Sequence, residues 1–478
     1  MSVNKKFSIT LISILIIVLL SLFYFINEYR EKITNATITR QQLALLEIMD
    51  VFTSTDQRLA QLDASKDHQA WLHLAKLHAD TSAITGYQLG EYFRQQPQMQ
   101  LAKLWYQVAI RQGHEAARIA LANIYFEQQY YADIKPLLLP IITNARALAL
   151  LYKLAMQQGD IAFIEAYKFH LAQGENAALY LELAQFSVFS STSVSQLSGP
   201  NISTKLPCLV DVQLFATNLT GLRHGQQLIS TFEHHQLANY ICLQTPKYIA
   251  ADALNCQHLA IESINCNATV WMNRQDINSR YLGIIVEQGN ANVDNGIMYI
   301  DQQDNLDVLV HELSHFIGFV DEYPLPRQHQ KCHQLQQAPF AHNLVVLPDY
   351  YQGERDKLRE YILSQVPWGR LIKDSTPILT QYQHGWQLVT PAEYQDEIGL
   401  YASASCDKQN HIQAFKPLLQ RTKLEYFELL FPQEYFDIIK LAPRDYLMPS
   451  YHFNVSRDLA KQGDYAKARD VLLATQFD

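Results

Sequence analysis

The sequence predicts a multidomain chain: an N-terminal transmembrane helix, an all-α helical-repeat domain and a C-terminal α+β domain. Three observations predict it. Residues Phe7 to Ile26 form an uncharged, Ile- and Leu-rich run. From about Thr39 to Phe189 the apolar residues recur at helical spacing with no strand-like alternation. All six cysteines fall after residue 207, where the texture turns strand-like. The boundaries that follow are 1–27 for the cytoplasmic tip and anchor, 28–190 for the repeats, 191–207 for a linker and 208–478 for the last domain.

The first run is long enough to cross a hydrocarbon core as a helix. Lys5 and Lys6 precede it, while Glu28, Arg30, Glu31 and Lys32 behind it cancel. The positive-inside rule then leaves the N-terminus in the cytoplasm and the large domain outside, on the periplasmic or extracytoplasmic side. A cleaved signal peptide is the rival, but no A-x-A site follows Phe23-Tyr24-Phe25 closely. Net charge is −9 over 478 residues and no long basic run occurs, which argues against nucleic acid as a partner.

In the helical part, Ala102, Trp105, Tyr106, Ala109, Ala116, Ala117, Ala120 and Leu121 flank the turn Gln112-Gly113-His114. Small residues let paired helices approach, and the glycine reverses the chain. The pattern A-x-x-W-Y-x-x-A-x-x-Q-G-H-x-x-A resembles tetratricopeptide-related repeats, with weaker echoes at Gly159 and Gly174. That resemblance implies stacked helix pairs, with a protein partner on the concave face as one use. Ser187 to Pro207 is rich in Ser and Thr, is broken by Gly199-Pro200 and Leu206-Pro207, and reads as a linker.

Beyond it, Cys208 to Thr217, Tyr240 to Leu243, Tyr281 to Glu287 and Gly296 to Ile300 read as strands, and Leu222 to Leu237 as a helix. His234 and His235 are adjacent, so on a helix their rings diverge and both suit the surface. No C-x-x-C occurs. An even number of cysteines beyond a membrane anchor points to disulfides, at least two of them. Of fifteen pairing schemes, the expected one joins Cys332, after the motif below, to Cys406.

The chemistry concentrates in Val310 to Tyr323, which reads H-E-x-x-H-x-x-G-x-x-D-E-Y. On a helix His311 and His315 leave one face a turn apart, the spacing that lets both bind one Zn²⁺. Glu312, one residue round, suits a general base. Gly318 can take the left-handed conformation that ends the helix and turns the chain back. That turn brings Asp321, or its neighbour Glu322, towards the ion as third ligand. Leu306, Leu309, Val310, Leu313, Phe316 and Ile317 form the buried stripe, with Asp304 as the expected N-cap. Two surface histidines on an amphipathic helix are the plain alternative.

The motif resembles that of the metzincin zinc peptidases, with aspartate in place of the third histidine as in the snapalysin type. Its Asp-Glu-Tyr ending is similar to the bacterial IgA-cleaving metallopeptidases. The resemblance implies a zinc endopeptidase acting on protein or peptide, with His311, His315 and Asp321 as ligands and Glu312 as the catalytic base. It also implies a methionine turn under the metal, for which Met448 stands ahead of a helical tail, Val455 to Phe477. Tyr451 is a weaker candidate for the metal shell. The reading from another class is a helical-repeat scaffold whose zinc lobe is catalytically silent.

Overall fold

The computed structural model describes residues 55–64, 68–189, 208–256, 263–325, 332, 335–406 and 411–474, with six further positions between 17 and 28. Most of the apolar run 7–26 and all of 191–207 lie outside the described residues. Among those described, no helix is long and apolar enough to cross a membrane. The chain divides into two compact units, Met1–Leu154 and Ala155–Asp478.

The first unit is helical: α1 (Thr55–Ala64), α2 (His68–His78), α3 (Ala83–Gln95), α4 (Met99–Arg111), α5 (Glu115–Glu127), α6 (Ile134–Leu138) and the start of α7 (Ala145–Gln158). Leu74, Leu89, Ala102, Tyr106, Ala109, Ala117 and Leu121 are buried together. Glycine sets the closest approach: a Cβ on Gly90 would lie 2.4 Å from the Tyr106 ring. Gly113 makes the turn between α4 and α5 at φ +87°, a conformation that costs glycine least.

The second unit continues with α8 (Ile161–Leu171) and α9 (Ala177–Gln185). Then come β1 (Val210–Ala216), α10 (Leu219–Phe232), β2 (Ile241–Tyr248), α11 (Ala251–Leu254), β3 (Tyr281–Val286), β4 (Asn292–Asp294), β5 (Ile297–Asp301) and α12 (Leu306–Phe316). The sheet order is β2-β1-β3-β5-β4. The first four strands pair in parallel, with Val210 against Ile241, Val212 against Tyr281 and Leu282 against Ile297. Only β4 is antiparallel. This sheet is therefore of the α/β kind, where the sequence suggests α+β; the crossovers run through α10 and other long connections. All six residues of β3 are buried, which is why it reads as an unbroken apolar run.

Helix α12 lies on this sheet. Leu309, Val310, Leu313, Phe316 and Ile317 are each at most 1% exposed, and the Phe316 ring stacks 4.5 Å from that of Tyr281. Burying five such side chains contributes on the order of 10 kcal/mol before chain entropy is counted. The N-cap is Asn305, not Asp304: Asn305 Oδ1 accepts from the amides of Asp307 and Val308. Asp304 accepts from the Asp301 amide instead.

After α12 the sequence shows little period, yet the chain builds β6 (Val345–Pro348), β7 (Tyr350–Tyr351), α13 (Arg355–Ser364), β8 (Leu379–Tyr382), β9 (Gly385–Leu388), β10 (Tyr401–Ala402) and β11 (Ile412–Lys416). These strands make two small antiparallel sheets, β10-β11-β6 and β7-β9-β8. Helix α14 (Gln433–Leu441) follows. The expected helical tail is two helices, α15 (Tyr451–Lys461) and α16 (Tyr465–Ala474), separated at Gly463 with φ +86°.

All six cysteines are bridged: Cys208–Cys242, Cys256–Cys266 and Cys332–Cys406. The first staples β1 to β2. The third is the expected pair, and joins the segment after α12 to the end of the β10 segment.

Candidate metal centre

Helix α12 presents its polar side as two imidazoles, with ring centroids 5.1 Å apart and nearly perpendicular planes. Each is anchored from behind. His311 Nδ1 lies 2.8 Å from the Lys423 carbonyl oxygen, and His315 Nδ1 lies 3.0 Å from that of Phe319. A carbonyl oxygen only accepts, so each Nδ1 carries the proton and donates it. Each Nε2 then carries a lone pair. Anchoring of this kind orients metal-binding histidines.

The chain returns to these nitrogens through a tight stop. Gly318 donates to His315 O and Phe319 donates to Ser314 O, the pair of bonds that closes a Schellman turn. Gly318 has φ +91°, and a Cβ there would sit 2.5 Å from Tyr446 Cβ and Tyr446 O. Three residues on, Asp321 Oδ1 lies 3.2 Å from His311 Nε2 and 3.5 Å from His315 Nε2.

The two distances to Asp321 Oδ1 match those between ligand atoms of one zinc ion, and all three atoms lie within 4.8 Å of one another. Tetrahedral Zn²⁺ with bonds near 2.0–2.1 Å needs ligand atoms about 3.3–3.4 Å apart. Asp321 Oδ1 is buried and has no hydrogen-bond partner. Two histidine Nε2 atoms therefore converge on a buried carboxylate oxygen, an arrangement that a cation between them, whether a proton or a metal ion, relieves. Among the described residues one other cluster has metal-ligand spacing, Cys208, Asp211 and Cys242. Its sulfurs are joined as a disulfide, which removes the thiolates a metal would need.

Electrostatics in the protein alone follow the same geometry. Burial opposes charge on His311, but Asp321, Glu312 and the Lys423 carbonyl outweigh it and raise its pKa. Burial works to raise Asp321 too, and His315 and His311 more than offset it, holding the carboxyl below its usual range. Glu312 is 6% exposed, and burial pushes its pKa up to about 8 against the pull of His311. No donor among the described residues bonds its carboxylate. Burial, with the charge of Asp321 beside it, raises the pKa of Tyr323.

Glu322 is turned elsewhere. It is fully buried and accepts from four side chains: Asn343 at 2.9 Å, Lys416 at 3.1 Å, Thr422 at 2.9 Å and Tyr435. Its amide donates to Leu424 O. The segment 422–424 thus holds both Glu322 and His311. Lys423 is itself buried, and its ammonium reaches Asp307 at 2.7 Å in the first turn of α12. Ser405, next to Cys406, donates to Asp321 O at 3.2 Å.

The other singled-out residues sit apart or contribute backbone only. Met448 passes under the end of α12, its amide donating to Phe316 O at 3.1 Å, and its side chain is half-buried. Tyr451 is buried with Trp271 and Val455 in the sheet core. His234 is exposed and bonds Ser230 O, while His235 caps the Leu237 amide. Sequence reasoning did not find Lys416, Thr422, Lys423 or Tyr435, which stand about a hundred residues from the groups they hold. No protein-family model and no curated protein matches the chain.

Proposed function

We propose that the chain is a zinc-dependent endopeptidase. The reading rests above all on the buried, unpartnered Asp321 Oδ1 facing two histidine Nε2 atoms at 3.2 and 3.5 Å. His311, His315 and Asp321 would hold the ion, leaving a fourth position open. Zinc, when bound, supplies a Lewis acid for the scissile carbonyl and makes a water in the open position more acidic. Glu312 accepts the proton of the attacking water on its carboxylate and hands it to the leaving amine nitrogen. It does so as the carboxylate, the form that the charge of a bound zinc would favour over the neutral acid that burial favours in the protein alone. Lys423 and Phe319, through their carbonyls, fix the tautomer that points each Nε2 at the ion.

This assignment extends the metzincin resemblance, with Asp321 in place of the third histidine and Met448 in the turn. The helical hairpins of the first unit fit a tetratricopeptide-like scaffold for a protein partner. Three disulfides suit an oxidising compartment, in keeping with a single-pass anchor at 7–26 in the inner membrane and the large domain outside. The test is casein digestion by the zinc-loaded full chain. Chelation should abolish it and added zinc restore it. Digestion unaffected by chelation would reject the reading.

A further inference from the structure

The turn that delivers Asp321 is gripped by two adjacent residues just ahead of β6. Asn343 is fully buried. Its Oδ1 accepts from the Val320 amide at 3.0 Å, and its Nδ2 donates to the Val320 carbonyl at 2.8 Å and to Glu322 Oε1 at 2.9 Å. A backbone amide only donates and a carbonyl only accepts, so a single orientation of the side-chain amide makes all three bonds. Its partners are the residue before Asp321 and the residue after it. The amide of His342 donates to Gly318 O at 2.9 Å. The grip is itself held by the small sheet β10-β11-β6, where Val345 pairs with Phe415. Lys416, at the end of β11, reaches Glu322 from that same sheet.

We propose that Asn343 is a positioning residue for the metal: it fixes the peptide group ahead of Asp321 so that Oδ1 stands opposite both histidine Nε2 atoms. The inference rests on the metal centre of the peptidase reading. The three candidate ligands are aimed in different ways. His311 and His315 each have a carbonyl behind the ring. Asp321 Oδ1 has no hydrogen bond to aim it. Its side chain is short, so the place of that oxygen follows the backbone that carries it. Asn343 holds both polar groups of Val320, the residue that sets where this backbone enters, and ties them to Glu322 on the far side. Groups that hold a ligand in this way decide whether a site keeps its metal, because ligand atoms have to stay within about 0.5 Å of their places. Asn343 carries no charge, so its replacement leaves no buried ion unpaired. Its effect on the metal is therefore separable from the stability that Glu322 and Lys416 supply.

The test uses the full chain in detergent: the parent, Asn343→Ala, and Tyr435→Phe as control. Tyr435→Phe removes a different bond to Glu322 Oε1 and leaves Val320 untouched. Asn343→Asp keeps the shape of the side chain and its bond from the Val320 amide but loses both donations, and it replaces Asn343→Ala if that protein does not fold. Zinc affinity is measured on each protein well below its melting temperature. The visible absorption of the Co²⁺-loaded chain reports ligand number and geometry, which a loss of stability alone does not move. The Asn343 variant should bind zinc about tenfold or more weakly and show altered Co²⁺ bands. Tyr435→Phe should melt earlier with parental affinity and bands. Parental affinity and bands in the Asn343 variant, or the same changes in Tyr435→Phe, would overturn the positioning role while leaving the metal centre intact. A parent that binds zinc no more tightly than His311→Ala would remove the metal centre and the positioning role together.

Discussion

Asp321 and Glu322 are neighbours in the chain with carboxylates in different surroundings. Asp321 Oδ1 faces His311 Nε2 and His315 Nε2. Glu322 is sealed beneath, paired with Lys416 at 3.1 Å. One carboxylate can serve a metal and the other holds the turn that delivers it.

The two acids therefore fail differently when replaced. Asp321→Ala should lower zinc affinity by roughly tenfold or more and leave the fold close to parental, because Asp321 Oδ1 has no hydrogen-bond partner in the protein to lose. Glu322→Gln removes the nearer counter-charge of the buried Lys416 ammonium and leaves it only Glu425 at 3.5 Å, a loss of about 3 kcal/mol, the low end for breaking a buried pair. It should lower the melting temperature first and zinc retention as a consequence. Adding Lys416→Met to Glu322→Gln should recover part of the stability. Thermal unfolding and zinc per chain, measured on all three variants, separate the roles; a Glu322→Gln protein of parental stability would refute this assignment.

Gly318 is predicted to tolerate no side chain. Its φ of +91° and the 2.5 Å approach of Tyr446 make Gly318→Ala a strained substitution, costing about 2 kcal/mol or more. Denaturant unfolding should show that loss. Zinc affinity should fall with it, because the same turn carries Asp321.

The pairing of the two candidate ligands on α12 was legible in the sequence because it is local. Helical period alone puts His311 and His315 on one face, opposite Leu309, Leu313 and Phe316. Choosing Asp321 over Glu322 rested on spacing from Gly318, since residue type does not separate two adjacent acids. Asp304 and Asn305 are equally good N-cap types, and what decides between them is tertiary: the Asp301 amide already occupies Asp304. The anchors Lys423, Lys416 and Tyr435 leave no local trace. They reach α12 and its turn across 112, 94 and 113 residues respectively. The small sheets after α12 were missed for another reason: their strands are two to five residues long, too short for alternation to register.

Acid sensitivity should centre in part on His342. It is 1% exposed, neither ring nitrogen has a partner, and its ring packs edge-on against Tyr446 at 4.8 Å. Burial lowers its pKa from 6.5 to about 4. The folded protein thus binds this proton less readily than the unfolded chain. Stability from the neutral ring is complete above pH 6.5 and is lost as pH falls from there to about 4, by on the order of 3 kcal/mol. His342→Phe removes the titrating group and should flatten the stability curve over that window. An unaltered pH slope in the variant would show that the acid sensitivity arises elsewhere.

The most direct measurement titrates the metal-free full chain with Zn²⁺ while following peptide hydrolysis, for the parent and for Glu312→Gln. Glu312 is a base and not a ligand here, so both proteins should bind one zinc with similar affinity. Only the parent should gain activity, with turnover in Glu312→Gln lower by about a hundredfold or more. Parental hydrolysis by Glu312→Gln, or activity in the parent that does not depend on the first equivalent of zinc, would contradict the account.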